Sequence, residues 1–364
     1  MLYVFFPVWQ QLFSLSFLEV GLLKTFFSGT MACFQLPAGR LGTRFGLMPT
    51  LVTGTMITSL ALFATGFSST FLVIAILLFL GGLGSSAQHP LASSAVANAY
   101  SGQERRTALS AYNFIGDVGK LMMPSLAALL IARFDWQSAI RFMSFCGVVS
   151  GLIVAATLVR AQVPLPESST LNKPRAGRLV FSITPAFASL SGIGVLDSAT
   201  RVGFLTFLPF LLRDKGADMP TLGLALGLIF AGGAAGKLAC GILASRLGIL
   251  RSVILTETAT ACGILCMIFL PLSGALLLCP ILGVVLNGTS SVLYGSVPEL
   301  VDTNARNEAF AFFYTMGIGS GAIAPFFYGL LGDALGVEAT LVIVAFMVLT
   351  TIPLTFPLRG KLNG

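Results

Sequence analysis

Charge is scarce in this chain. Lys, Arg, Asp and Glu together make up 10% of its 364 residues, where a soluble domain carries about 25%. With 55% of the residues hydrophobic, too few polar groups remain to clothe a water-soluble globule, and that class is excluded. Histidine occurs once, as His89, which excludes a histidine-built metal cluster. The six cysteines (Cys33, Cys146, Cys240, Cys262, Cys266, Cys279) lie within or at the ends of apolar stretches. Cys262 and Cys266 share a helix face, yet no histidine or carboxylate stands beside them to complete a metal site, so they read as packing residues. A spaced carboxylate dyad and a nucleophile–base set are missing too, which argues against an enzyme and calls for no cofactor. No basic leader precedes Met1, so a signal peptide is not expected.

What the chain has in abundance is apolar length. A membrane-spanning helix needs about 20 mainly apolar residues. Such runs lie near 17–38, 47–66, 71–98, 106–131, 138–160, 181–212, 219–244, 252–271, 274–299, 307–331 and 338–357, eleven in all. Met1 to Val8 is apolar but too short to cross. It reads as the end of a twelfth helix whose beginning is missing, as a start placed too late would produce; the alternative is a genuine eleven-span protein.

The net charge of +7 could suit nucleic acid, but its placement says otherwise. Arg40, Arg44, Arg105, Arg106, Arg160, Lys173, Arg175, Arg178, Arg246, Arg251, Arg306, Arg359 and Lys361 fall on one set of alternating loops. Arg133, Arg213 and Lys215 fall on the other. An excess of Lys and Arg marks the cytoplasmic side. The basic balance is therefore a topology signal that puts the C-terminus in the cytoplasm, with no nucleic-acid partner.

The chain also repeats itself. Gly39-Arg40-Leu41-Gly42-Thr43-Arg44-Phe45-Gly46 returns as Gly241-Ile242-Leu243-Ala244-Ser245-Arg246-Leu247-Gly248. Gly84-Ser85-Ser86 returns as Gly288-Thr289-Ser290, and Arg105 to Pro124 returns as Arg306 to Pro325. Between the copies lies Gln162 to Arg178, polar, basic and proline-containing, which reads as a cytoplasmic linker. The expected organisation is an N-terminal helical bundle over 1–160, a linker over 161–180 and a C-terminal bundle over 181–364. Two copies threaded in the same sense are related by an axis along the membrane normal, which is how many secondary transporters build a central site. Small residues crowd several spans (Gly232, Gly233, Gly236; Gly317, Gly319, Gly321), and they permit close approach between helices.

An ionisable side chain inside a bilayer normally faces a cavity or a partner, so the few charges within spans are the candidate functional positions. On the span at 71–98, helical spacing aligns Ser85, Ser86, His89 and Ser93, and Pro90 can bend the helix there. On the next span Asn113, Asp117 and Lys120 share a face; Asp117 and Lys120 either neutralise one another or exchange partners during a cycle. On the span at 181–212, Asp197 and Arg201 lie four apart. The carboxylate can accept a proton while the guanidinium binds an anion. Lys24 and Lys237 are further cations within spans, able to snorkel outward. Glu257, six residues past Arg251, reads as shallow.

The segments 39–46 and 241–248 resemble the signature loop of the major facilitator superfamily, with Gly39, Arg44, Gly46, Gly241, Arg246 and Gly248 as its gating residues. Thr43 and Ser245 stand where that family carries an acid. Within the superfamily, GLGSSAQHP at 82–90 is similar to the signature of fosmidomycin resistance proteins, although Leu91 replaces an acid that members carry after the His-Pro. The resemblance implies an all-α integral membrane protein of two pseudo-symmetric six-helix bundles, the first helix largely missing, in a bacterial inner membrane. It also implies a small-molecule substrate, protons as coupling ion, a monomer within the lipid bilayer, and export of a drug-like or anionic molecule by alternating access. Import of organic acids or similar metabolites, and a membrane sensor or scaffold that transports nothing, are the alternatives.

Overall fold

The computed structural model describes residues 1–160, 183–302 and 306–362, and among these it has thirteen α-helices and two 3₁₀ segments. In chain order they are α1 (Leu2–Phe13), α2 (Phe17–Phe45), α3 (Leu47–Thr65), α4 (Phe71–Ser85), α5 (Gln88–Ala99), α6 (Gly102–Arg133) and α7 (Trp136–Arg160). There follow α8 (Pro185–Asp214), α9 (Met219–Leu247), α10 (Ile249–Phe269), α11 (Leu272–Ser296), α12 (Arg306–Leu335) and α13 (Val337–Leu349), with 3₁₀ turns at Val297–Glu299 and Pro353–Leu358. No strand occurs among the described residues. Eleven stretches are long and apolar enough to cross a bilayer, with α4 and α5 counting as one; they coincide with the eleven runs expected. The linker expected at 161–180 lies outside the described residues.

Helix starts follow local chemistry. Ser16 and Glu19 form a reciprocal capping box ahead of α2: Glu19 N donates to Ser16 Oγ (3.2 Å) and Ser16 N donates to Glu19 Oε2 (2.8 Å). Two further N–H groups at this end, Phe17 N and Leu18 N, donate to the Asp333 carboxylate at 2.6 and 3.0 Å. That cap is lent by α12, the second-last of the long helices. Thr184 accepts from Phe187 N ahead of α8, and Asp218 accepts from Thr221 N ahead of α9, each followed by a proline in the first turn, where a missing N–H costs nothing.

Two features differ from expectation. The signature segments are not loops. α2 continues through Pro37 to Phe45 and α9 runs to Leu247, so Gly39, Arg44, Gly241 and Arg246 are helical. Only Gly46 (φ 96°) and Gly248 (φ 82°) leave the helical region, a left-handed backbone that glycine adopts without strain. The span at 71–98, in turn, runs through, but its hydrogen-bond ladder is interrupted at Ser86 and Ala87, which keep helical dihedrals. Pro90 has no N–H to offer the carbonyl of Ser86 one turn back, which places the interruption there.

Contacts divide the chain into two units. One comprises Met1–Gly21, Lys120–Leu129 and Arg178–Gly364. In it α9 and α11 approach so closely that a Cβ on Gly232, Gly236 or Gly283 would meet the backbone carbonyl of Pro280, Val284 or Ile229, leaving hydrogen as the only side chain that fits. α8 packs on α12, and α10 on α11 and α13, around a core of Phe187, Leu190, Ile193, Val292, Leu293 and Phe313. The Arg213 guanidinium donates to Pro7 O at 3.0 Å and to Gln11 Oε1, tying α8 to α1. The other unit comprises Leu22–Gly119 and Leu130–Gly177. There α3 packs on α4 and α7, Thr58 Oγ1 donates to Gly81 O at 3.0 Å, and Gln88 Nε2 donates to Thr55 Oγ1 at 2.6 Å.

Candidate functional site

The densest concentration of buried charge lies where α8 meets α10. Arg201 Nη2 stands 3.8 Å from Asp197 Oδ2, one helical turn back on α8. The side chain of Asp197 is 7% exposed and that of Arg201 25%, so the arginine is the less buried member of the pair. On α10, Glu257 is 1% exposed and within electrostatic reach of both Asp197 and Arg201. Two carboxylates thus answer one guanidinium. Arg201 Nε, Glu257 Oε1, Thr200 Oγ1 and Thr260 Oγ1 have no hydrogen-bond partner among the described residues. Native interiors rarely leave buried polar atoms so, and these four lie on the two helices that carry the buried charges.

Beside this network is an aromatic recess. A cavity of about 430 Å³ is lined by Tyr294 of α11 and Phe310, Ala311 and Tyr314 of α12, within the size range of small-molecule sites, about 300–1,000 Å³. The Tyr294 ring sits edge-on to Phe313 at 5.2 Å and tilted against Tyr314 at 5.8 Å. Both tyrosines feel the charge of Arg201. The wall of the recess is almost wholly apolar, ring faces with Ala311, and suits an apolar group.

Glu257 is the residue that sequence reasoning undervalued. Counted from the start of α10 at Ile249, it lies about 12 Å along the helix at 1.5 Å per residue, well inside a bilayer core of about 30 Å. The run Thr256-Glu257-Thr258 with Thr260, polar within an otherwise apolar helix, was the available signal. Tyr294 and Tyr314 carried none, because an aromatic in a span reads equally well as core.

The remaining candidates are dispersed. In the second unit Ser86 is buried and donates to Leu83 O at 2.6 Å, while Ser85 and Ser93 are half-buried and His89 is exposed. Asn113 is exposed and Asp117 half-buried; Lys120, in the first unit, is exposed. Lys237 is also exposed, and Lys24 Nζ donates to Ser28 Oγ at 2.7 Å. The two signature segments behave alike. Thr43 Oγ1 donates to Arg40 O and Ser245 Oγ to Ile242 O, each at 2.8 Å, so the hydroxyls that replace the acid bond back to their own helices. Arg44 and Arg246 remain exposed.

Comparison with known proteins agrees with this architecture. The sequence profile described as Major Facilitator Superfamily matches residues 1–294 and, in an overlapping placement, 190–363. An uncharacterised MFS-type transporter of Bacillus subtilis, YfnC, is 26% identical over 98% of this chain and 88% of that protein. The fosmidomycin resistance protein of Escherichia coli is 22% identical over 94% of this chain and 84% of its own length. The multidrug resistance protein MdtL of Klebsiella pneumoniae is 27% identical over 55% of this chain and 50% of its own length. Among solved structures, a bacterial homologue of the human lysosomal transporter Spinster, inward-facing and occupied, superposes with a TM-score of 0.79 at 16% identity, covering 99% of this chain and 92% of that one. With its helices, its repeat and its family profile in agreement, the chain belongs to the major facilitator superfamily and is a multi-pass membrane protein of the secondary-transporter class, not an enzyme.

Proposed function

We infer that this protein exports a small amphiphilic or anionic molecule in exchange for protons. The observation that carries the reading is the buried Asp197–Arg201 pair, with a second buried carboxylate, Glu257, within its electrostatic reach, beside an aromatic recess. In such a site Asp197 exchanges the coupling proton, Arg201 holds the resulting carboxylate or an anionic group of the substrate, and Tyr294 and Tyr314 receive its apolar body. Ser85, Ser86, His89, Asn113, Asp117 and Lys120 supply the polar positions of the N-terminal bundle (1–160). That bundle and the C-terminal one (181–364) are joined by the cytoplasmic linker at 161–180 and rock as a monomer in a bacterial inner membrane, C-terminus inside. Export is supported by relatives named for multidrug and fosmidomycin resistance.

Arg201 also favours a second reading. An anion that draws the guanidinium off Asp197 leaves a buried carboxylate that takes up a proton, so anion and proton bind together and travel inward together. Proteoliposomes with an imposed proton gradient and a panel of lipophilic anions and cations separate the two. Export predicts that substrate and protons move in opposite directions, uptake that they move together. Proton-driven flux that survives both Asp197→Asn and Asp117→Asn refutes the coupling assignment; no flux with any compound points to a sensor or scaffold.

A further inference from the structure

A second cavity, larger than the aromatic recess, opens at the junction of α9 and α10. It measures about 1,070 Å³ and is lined by the end of α9, the first turns of α10, the end of α11 and the chain after Pro353–Leu358. Three guanidinium-bearing residues, Arg246, Arg251 and Arg359, line it against one acid, Glu299. No ion pair holds any of the three arginines among the described residues. Gly248 caps α10 without a side chain, so no side-chain acceptor serves the N–H groups of the first turn, which lies in the cavity wall. Helix N-termini attract anions through those donors and the helix dipole. Leu247, Ile249, Ile254, Val292 and Leu362 add apolar wall, and Ser245 and Ser291 add hydroxyls.

We propose that this cavity binds a phosphate-bearing anion, with Arg246, Arg251 and Arg359 on the phosphate and the α10 N-terminus completing the cradle. Arginine's planar fork suits phosphate oxygens, and an excess of positive charge beside apolar wall fits the headgroup and upper chain of an anionic phospholipid. The cavity lies on the face marked by the Lys and Arg excess, where anionic lipids concentrate positive segments. The same donors would take a soluble phosphate ester, so the test distinguishes the two sources. The site is separate from the Asp197 network and does not depend on how transport is coupled.

The full-length protein, purified in a neutral detergent, is titrated with phosphatidylglycerol, with phosphatidylcholine, and with glycerol phosphate, following the thermal midpoint and the lipid retained in native mass spectra. Phosphatidylglycerol is expected to stabilise and be retained where phosphatidylcholine is not, with the effect weakening as salt rises. Arg251→Gln and Arg359→Gln should each raise the half-saturating concentration about tenfold, the worth of one charge-assisted contact, and Glu299→Gln should lower it. Equal response to glycerol phosphate assigns the site to a soluble ester, which still upholds the phosphate cradle. Indifference of the unaltered protein to both phosphate sources overturns it, as does undiminished phosphatidylglycerol binding in the two arginine variants. Because the unaltered protein and Glu299→Gln keep every arginine, misfolding of an arginine variant leaves the proposal open to refutation.

Discussion

Removing Arg201 should do far more damage than removing either carboxylate it serves. At 3.8 Å and an effective dielectric of about 20, the Asp197–Arg201 attraction is about 4 kcal/mol. Breaking a buried pair by deleting one partner costs about 3–5 kcal/mol, because a charge is stranded. Arg201→Met strands two carboxylates against each other and should fall in that range. Asp197→Asn leaves Glu257 to answer the guanidinium, and Glu257→Gln leaves Asp197, so each should cost only about 1–2 kcal/mol, the worth of a hydrogen bond to a charged group. The double variant Arg201→Met/Asp197→Asn relieves the repulsion and should recover part of the loss, at least about 1 kcal/mol relative to additivity. Reversible unfolding in mixed micelles, following helix content against denaturant, gives the four free energies. If the losses simply add, or if Asp197→Asn is as damaging as Arg201→Met, then Glu257 does not share the guanidinium and the three-charge network is wrong.

Other consequences are cheaper to check. Gly248→Ala and Gly46→Ala each force a Cβ into a left-handed backbone and should lower stability by about 1–2 kcal/mol, seen as a lower melting midpoint. Asp333→Ala removes the acceptor for Phe17 N and Leu18 N and should cost about 1–2 kcal/mol, with faster amide exchange at the start of α2. Ahead of α7, hydrogen bonds from Ser138 N and Oγ to Asp135 hold its carboxyl below the usual carboxylate range. A depressed value stabilises the fold above the unfolded pKa of about 3.9 and ceases to do so as pH falls through the folded one. Melting of the unaltered protein and of Asp135→Ala should therefore differ at pH 6, by less than about 1 kcal/mol at so exposed a site, and the difference should shrink as pH falls through the lowered folded value.

The spans were legible because a bilayer imposes a length and a polarity that single stretches must satisfy alone, without help from distant residues. Their ends were not. Proline and glycine at 37 and 39 look like the close of α2, yet the helix continues to Phe45, since a proline within a membrane helix is tolerated once neighbours satisfy the freed carbonyl. The Asp197–Arg201 pair could be read from its spacing of four on one helix. Glu257 could not be joined to it, because only the packing of α10 on its neighbours brings together residues far apart in the chain. Polarity was legible and partnership was not. The interrupted ladder at Ser86 shows the same limit: Pro90 announces a disturbance, while its position depends on which carbonyl loses its donor.

The aspartate that α12 lends to the start of α2 sets a schedule for biosynthesis. Phe17 N and its acceptor in Asp333 are 316 residues apart, and at about 5–20 residues per second a ribosome takes roughly 15–60 s to cover that distance. Throughout that interval two amide donors at the start of α2 lack the acceptor they use in the finished fold. Assembly of this protein therefore completes the cap on α2 only once α12 has been made, and a nascent chain halted before Asp333 should remain open to proteases at the start of α2.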